Sequence, residues 1–133
     1  MSTPIELVQR VVDEVMNGRD LDVLDELCTP TLASKLRTAF GTFRDAFPDW
    51  HQEALEFVTD DRTVVARMRC TGTHEGEWQG LPPTGRRMRI DEVYFFRIAG
   101  GRISGLWGLE DTWTRMRQLA GEEARLGDLG SLS

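Results

Sequence analysis

Residues 87–109, RMRIDEVYFFRIAGGRISGLWGL, decide the fold that this sequence predicts. The AGGR segment at residues 99–102 is a hairpin signal, because two adjacent glycines can adopt the positive φ angles of a tight turn. The runs on either side, residues 87–98 and 103–109, therefore predict two antiparallel strands joined by that turn.

Two further strands are predicted before this hairpin. In residues 64–70, VVARMRC, apolar side chains alternate with mostly polar ones, which is typical of a strand with one buried face. A strand is also predicted at residues 50–58, although Glu53 and Glu56 weaken its alternation. The Gly- and Pro-rich segment at residues 72–85 is predicted to be a long loop.

The segment before these strands has helical spacing instead. One helix is predicted to start at Thr3, a short second one follows Asp20, and a third covers residues 32–46, where apolar residues recur every three or four positions. A closing helix is predicted at residues 112–119. Helices followed by antiparallel strands favour an α+β fold, in which a curved antiparallel sheet wraps over the N-terminal helices and encloses a pocket.

The length and composition of the chain limit the domain organisation and the partners that we expect. Its 133 residues predict one domain at residues 1–121 and a flexible tail at residues 122–133. The net charge of −6 argues against nucleic-acid partners and against an anionic membrane. The N-terminus lacks a signal peptide and no apolar run is long enough to span a membrane, so we predict a cytoplasmic protein. Cys28 and Cys70 are expected to be free thiols, and no Cys/His cluster has the spacing of a metal site.

Four short motifs follow one another between residues 47 and 111. They are FPD at residues 47–49, GTHEGE at 72–77, GLPPTG at 80–85, and a final run that contains RI, GGRI, Trp107 and Asp111. Together they resemble the FPD, GTHxGE, GxPPTG and RIxxGKIxxxWxxxD motifs of the SnoaL-like polyketide and ester cyclases. The resemblance extends over roughly residues 40–119.

The resemblance implies a cystatin-like cone, the fold of the nuclear transport factor 2-like superfamily, usually assembled as dimers or tetramers. It also implies an activity similar to that of aldol cyclases, which close a ring of an aromatic polyketide without a metal or an organic cofactor. The same fold hosts isomerases, hydrolases, dehydratases and non-catalytic domains, so the fold alone does not decide the function.

A hairpin centred between residues 100 and 101 predicts which side chains meet. It places Tyr94 opposite Trp107 and Glu92 opposite Leu109, and directly opposed side chains share a face of the sheet. Glu92, Tyr94, Trp107, Leu109 and Asp111 would then all face the pocket. A register error of one residue would turn Glu92 outward, where it would be an ordinary surface group.

Asp111 is the first candidate catalytic residue. The resemblance implies that an aspartate at this position is the general acid/base, and a carboxylate in an apolar pocket has the raised pKa that proton transfer needs. The alternative is that Asp111 only caps the closing helix.

Tyr94 and Glu92 are the other two catalytic candidates. Related cyclases often carry a histidine where this chain has Tyr94, whose phenol could donate a hydrogen bond to an enolate or could simply be a core side chain. An inward-facing Glu92 is costly unless it is paired or functional. Ligand binding is predicted for a further set of mostly apolar residues, which could instead pack in the core or have a structural role. They are Trp107, Phe40, Phe43, Trp50, Met68, His74 and Leu109.

Three functions are compatible with these residues. The first is a cofactor-free cyclase or isomerase that acts on an apolar carbonyl compound through an enolate, with Asp111 as the base. The second is a non-catalytic domain that binds a small molecule, and the third is a hydrolase or dehydratase that uses Asp111 and Glu92 together. A homodimer is expected in each case, because an open sheet of this type usually packs against a copy of itself.

Overall fold

The computed structural model of the protein describes residues 2–121. The first helix, α1, covers Pro4–Arg10 and continues as a π-helical stretch at Val11–Asn17. A 3₁₀ turn at Leu21–Val23 leads into α2 at Leu24–Leu27. The two remaining helices are α3 at Pro30–Ala46 and α4 at Thr112–Ala120. The strands are β1 at His51–Thr59, β2 at Thr63–Thr73, β3 at Arg87–Ala99 and β4 at Arg102–Glu110. The predicted tail at residues 122–133 lies outside the described residues.

The four strands form one antiparallel sheet in the order β1-β2-β3-β4. Its inner face and the helices α1 and α3 enclose the hydrophobic core, to which Val8, Leu36, Met68 and Phe96 belong. The predicted α+β architecture is therefore confirmed. None of the helices in the described part of the chain is long and apolar enough to cross a membrane.

The helix starts follow local capping rules. At the predicted helix start, Thr3 and Glu6 form a capping box, in which each side chain accepts a hydrogen bond from the backbone N–H of the other, at 3.1 and 3.3 Å. α3 begins at Pro30, two residues before the predicted start, because proline is well suited to the first turn of a helix, where no N–H is needed. Cys28 and Cys70 are both buried free thiols, as expected.

A β-bulge in β1 explains its irregular alternation. Ala54 pairs with Met68 and Glu56 pairs with Arg67, so Leu55 is an extra residue on this strand. The bulge shifts the side-chain alternation by one position, which is why the spacing of the glutamates fits a single strand poorly.

A second bulge, in β4, changes the predicted hairpin register. Ile98 pairs with Ile103 as predicted, but Arg97 pairs with Gly105, which leaves Ser104 as the extra residue. Beyond this point the side chains of β4 that were predicted to face inward lie on the outer face, and those predicted to face outward lie on the inner face, because side chains alternate with a period of two. The prediction that Trp107 faces the pocket is therefore wrong, and Leu109 also points to the outer face of the sheet.

Two polar contacts attach the loop and the last helix to the sheet. His74 is fully buried, and its Nδ1 accepts a hydrogen bond from the backbone N–H of Thr84 at 3.2 Å, which ties the two ends of the long loop together. Gln118 bonds both backbone groups of Arg89, at 2.7 and 3.0 Å, and so holds α4 against the end of β3.

Candidate functional site

A cleft of about 430 Å³ opens between α3 and the β3–β4 hairpin. Its walls are mostly apolar and include Leu36, Phe40 and Phe43 from α3 and Leu106 from β4. Small-molecule sites typically have this range of volume and a few polar groups within an apolar lining. We call this space the cleft.

The polar residues Tyr94, Glu110 and Thr112 also line the cleft. Glu110 is the last residue of β4, and its side chain is 20% exposed. Glu92 lies deeper, opposite Glu110 in the sheet and two residues before Tyr94 on the inner face of β3, and it is 1% exposed. Tyr94, Glu110 and Glu92 form a polar group at the floor of a mostly apolar cleft.

The Tyr94 hydroxyl lies between the two carboxyl groups. It donates a hydrogen bond to Glu92 Oε2, and it lies 3.4 Å from Glu110 Oε1. A phenol has a single hydrogen, so it can donate to only one of the two carboxyl groups at a time. Burial, followed by the neighbouring carboxylates, raises the pKa of Tyr94 above its usual range, so this residue stays a neutral donor.

Glu92 holds a proton at neutral pH. Burial, with a further contribution from the Glu110 carboxyl, raises the pKa of Glu92 to about 8. The Cys70 thiol donates a hydrogen bond to Glu92 Oε1, and burial raises the pKa of this thiol so that it remains protonated. The group next to Glu92 on β2 is therefore a neutral donor.

Glu110 has the opposite environment, because a buried arginine of α4 pairs with it. Arg115 Nη1 donates to Glu110 Oε2 at 2.6 Å, and the Arg115 side chain is 1% exposed. Although partial burial by itself would raise the pKa of Glu110, the hydrogen bonds from Glu92 and Arg115 hold it below its usual value. Of the two coupled carboxyl groups, Glu110 is the one that stays ionised.

Gly108 gives Tyr94 the space to lie across β4. It pairs directly with Tyr94, and a Cβ atom at this position would lie 2.3 Å from Tyr94 Cε1. Any side chain here would displace the phenol ring, so the absence of one is part of the geometry of the site.

Asp111 lies outside this polar group. It is exposed and caps α4, where its Oδ1 accepts from Thr114 N at 3.1 Å and its Oδ2 accepts from Thr114 Oγ1 at 2.6 Å. The structure therefore places Glu92 inside the core and Asp111 at the surface, and it does not bring the two carboxyl groups into one pocket.

The other predicted ligand-binding residues are divided between several places. Phe40 and Phe43 line the cleft, as expected. Met68 lines a separate internal space of only about 10 Å³ behind Tyr94, which has room for a single water molecule at most.

Trp50 and His74 are buried away from the cleft. Trp50 packs with its ring centroid 4.7 Å from that of Phe43, and His74 packs 5.6 Å from the ring of Phe47. Trp107 and Leu109 point to the outer face of the sheet with 58% and 63% of their surface exposed, although Leu109 also touches the rim of the cleft.

Three residues of the site, Glu110, Gly108 and Arg115, were not predicted from the sequence. The first two depend on the β4 bulge, for which the sequence carries no clear signal. Arg115 could have been found, because it precedes Leu119 by four residues and helical spacing places both on one face of α4. Both residues are buried in the structure.

A metal site has no support among the residues that the structure describes. No group of three or more His, Cys, Asp or Glu side chains there is arranged to hold an ion. The polar group at the floor of the cleft consists of two carboxyl groups and a phenol, and the Cys70 thiol and the Arg115 guanidinium contact it from outside the cleft.

Comparison with known proteins gives a consistent result. The family model described as SnoaL-like polyketide cyclase matches residues 6–119. The chain is 31% identical to aklanonic acid methyl ester cyclase DnrD of Streptomyces peucetius, over 77% of this chain and 81% of that protein.

Solved structures show the same fold. TsrD from Streptomyces laurentii superposes with a TM-score of 0.81 at 23% identity, over 86% of this chain and 92% of that one. A SnoaL-like polyketide cyclase from Agrobacterium tumefaciens superposes with a TM-score of 0.78 at 24% identity, over 90% of this chain and 99% of that one.

Proposed function

Because this chain belongs to the SnoaL-like polyketide cyclase family, we propose that it is a cofactor-free cyclase or isomerase that acts on an apolar, polyketide-like carbonyl compound through an enolate. The observation that carries this proposal is the Tyr94 hydroxyl, which lies between a protonated Glu92 and an ionised Glu110 at the floor of the cleft. One acid, one base and one neutral donor are thereby held together.

Glu110 is the base in this proposal. Its carboxylate removes a proton from a substrate carbon flanked by carbonyl groups, and the electron pair of the C–H bond moves into the enolate. We assign this role to Glu110 rather than to Asp111, because Glu110 lines the cleft, whereas Asp111 is exposed and accepts two hydrogen bonds from Thr114.

Tyr94 stabilises the enolate in this proposal. Its hydroxyl, which donates to Glu92 in the ligand-free protein, turns to donate to the enolate oxygen in the cleft. In ketosteroid isomerase a tyrosine and a protonated carboxylic acid likewise stabilise an enolate oxygen.

Ring closure then follows without a redox partner. The enolate carbon attacks a second carbonyl group, a C–C bond forms, and the new alkoxide takes back the proton that Glu110 holds. In an isomerase the same proton returns to a different carbon. Both reactions balance within the substrate, so the residues of the cleft can supply every proton transfer.

The proposal is tested by assaying E110Q, Y94F and D111N with aklanonic acid methyl ester, and by following exchange of the acidic C–H with solvent deuterium in a series of 1,3-dicarbonyl esters. We expect E110Q to lose about 10²- to 10⁴-fold of the rate and Y94F about 10²- to 10³-fold. D111N is the control and should stay near the wild-type rate, because asparagine caps helices as well as aspartate does.

Two results would contradict this assignment. Full exchange in E110Q and Y94F together with loss in D111N would return the role of the base to Asp111. Binding of the esters in the cleft without exchange by the wild-type protein would favour a non-catalytic ligand-binding domain. The observation that favours this second function is the pairing of Glu110 with Arg115, which weakens Glu110 as a base.

A further inference from the structure

Arg115 is buried in a way that is costly for a cation. The side chain is 1% exposed, Nη1 bonds Glu110, and Nε lies 3.2 Å from Met88 Sδ. Nη2 has no hydrogen-bond partner among residues 2–121. Burial of a guanidinium that pairs with a single carboxylate and leaves one nitrogen unsatisfied is costly, so a purely stabilising role explains this arrangement poorly.

Aromatic rings hold Arg115 in place. Its Cζ lies 5.2 Å from the ring centroid of Trp78 and 5.8 Å from that of Phe43, which is the range of cation–π contacts. Since Phe43 also lines the cleft, the guanidinium sits directly behind the cleft wall without lining the cleft itself.

The groups that face the two carboxyl groups come from four elements. β2 contributes the Cys70 thiol, β3 contributes the Tyr94 phenol, and α4 contributes Arg115, whereas α3 contributes only apolar side chains to this part of the cleft. Arg115 is therefore the charged partner of the pair, and it contacts Glu110 and not Glu92.

We propose that Arg115 is a positioning residue that keeps Glu110 ionised and thereby assigns the one proton shared by the two carboxyl groups to Glu92. With the proton on Glu92, each donor has an acceptor. The Cys70 thiol donates to Glu92 Oε1, the Tyr94 hydroxyl donates to Glu92 Oε2, the Glu92 hydroxyl donates to Glu110, and Arg115 Nη1 donates to Glu110 Oε2.

The opposite assignment is much less favourable. With the proton on Glu110, the Glu92 carboxylate would be 1% exposed with a thiol and a phenol beside it and no cation. Arg115 would then face a neutral carboxyl group, which also leaves a buried positive charge uncompensated.

The consequence for catalysis rests on the proposed function. Arg115 would keep the base charged and would keep the shared proton on Glu92 rather than on Glu110. Because Arg115 does not line the cleft, its loss should lower kcat and displace the pH profile while KM stays nearly unchanged.

The test is a pH titration of ligand-free protein labelled with ¹³C at the glutamate carboxyl carbons, with resonances assigned from E92Q and E110Q. In R115M we expect the pKa of Glu110 to rise by about one to three units, the usual effect of losing an adjacent cation, and the protonated fraction of Glu92 at pH 7 to fall. R115K keeps a charge and should restore most of the wild-type titration. R69M is the matched control, because Arg69 pairs with Asp91 on the outer face of the sheet at 3.2 Å.

The outcomes separate this inference from the proposed function. Unchanged Glu92 and Glu110 titrations in folded R115M would overturn the inference, even if the protein is an active cyclase. If R115M does not fold, the wild-type titration decides, since a protonated Glu110 with an ionised Glu92 at pH 7 contradicts the inference directly. A wild-type protein without deuterium exchange would reject the proposed chemistry and leave the titration result intact.

Discussion

At the scale of single residues, Glu92 shows how burial changes an ionisable group. Its carboxyl group is 1% exposed, and its neighbours Cys70 and Tyr94 supply hydrogen bonds but no charge. The transfer of a carboxylate into such surroundings disfavours ionisation, which raises the pKa to about 8 from an ordinary value of 4.5. The stability of the protein should therefore depend on pH through this residue.

The substitution E92Q tests this dependence, because it removes the ionisable group and keeps the shape of the side chain. Between about pH 4.5 and pH 8 the unfolded chain loses the Glu92 proton while the folded chain keeps it, so the wild type loses stability relative to E92Q as pH rises. The largest slope is about 1.4 kcal/mol per pH unit, and the loss ends above pH 8, where both states are ionised. Urea unfolding of both proteins from pH 5 to pH 9 measures the difference, and a difference that does not change with pH would contradict the raised pKa.

At the scale of elements, the β4 bulge at Ser104 selects which side chains reach the cleft. It turns Glu110 and Gly108 inward and Trp107 outward, and Gly108 then leaves room for the Tyr94 ring. Such bulges are common beside functional sites, because a single extra residue redirects all the side chains that follow it.

Substitution of Gly108 should therefore disturb Tyr94. In G108A the new Cβ would lie 2.3 Å from Cε1 of the ring, and we expect a loss of about 1 to 3 kcal/mol in the free energy of unfolding. Tyr94 is the only tyrosine in the sequence, so ¹⁹F NMR of fluorotyrosine-labelled protein reports it as a single resonance.

The matched control is G105A on the same strand. A Cβ at Gly105 would meet only the flexible Arg97 side chain, at 3.4 Å, so the fluorine resonance should stay at its wild-type position. Equal resonances in G108A and the wild type would show that Tyr94 does not need this glycine.

At the scale of the whole molecule, the outer face of the sheet carries exposed apolar side chains. Trp107, Leu109 and Val58 are each more than half exposed there, and Trp107 packs edge-on against Phe95 with ring centroids 5.5 Å apart. Exposed apolar patches of this kind commonly mark protein–protein interfaces. This face is where we expect the predicted homodimer to form.

Light scattering of W107E tests this expectation. A buried glutamate at the centre of an interface would be costly, so the mass should fall from two subunits in the wild type to one in W107E. W113E is the control, because Trp113 is also exposed, at 54%, but lies on α4 rather than on the sheet. A single-subunit mass for the wild-type protein would refute the homodimer.

The sequence by itself determined the features that depend on neighbouring residues. The Thr3 capping box, the turn at residues 99–102, the strand alternation of β2 and the class of the fold are all readable locally, because each depends on the preferences of a few adjacent residues. The burial of Glu92 was also within reach, since burial alternates regularly along β3 from Arg87 up to Glu92.

Only the tertiary structure decided the composition of the site. Whether β4 carries an extra residue at Ser104 depends on how both faces of the sheet pack, and this choice exchanged Trp107 for Glu110 at the cleft. The pairing of Glu110 with Arg115 depends in turn on where α4 docks. The bulge is decisive because side chains alternate along a strand with a period of two, so a one-residue shift reverses the direction of every side chain that follows it.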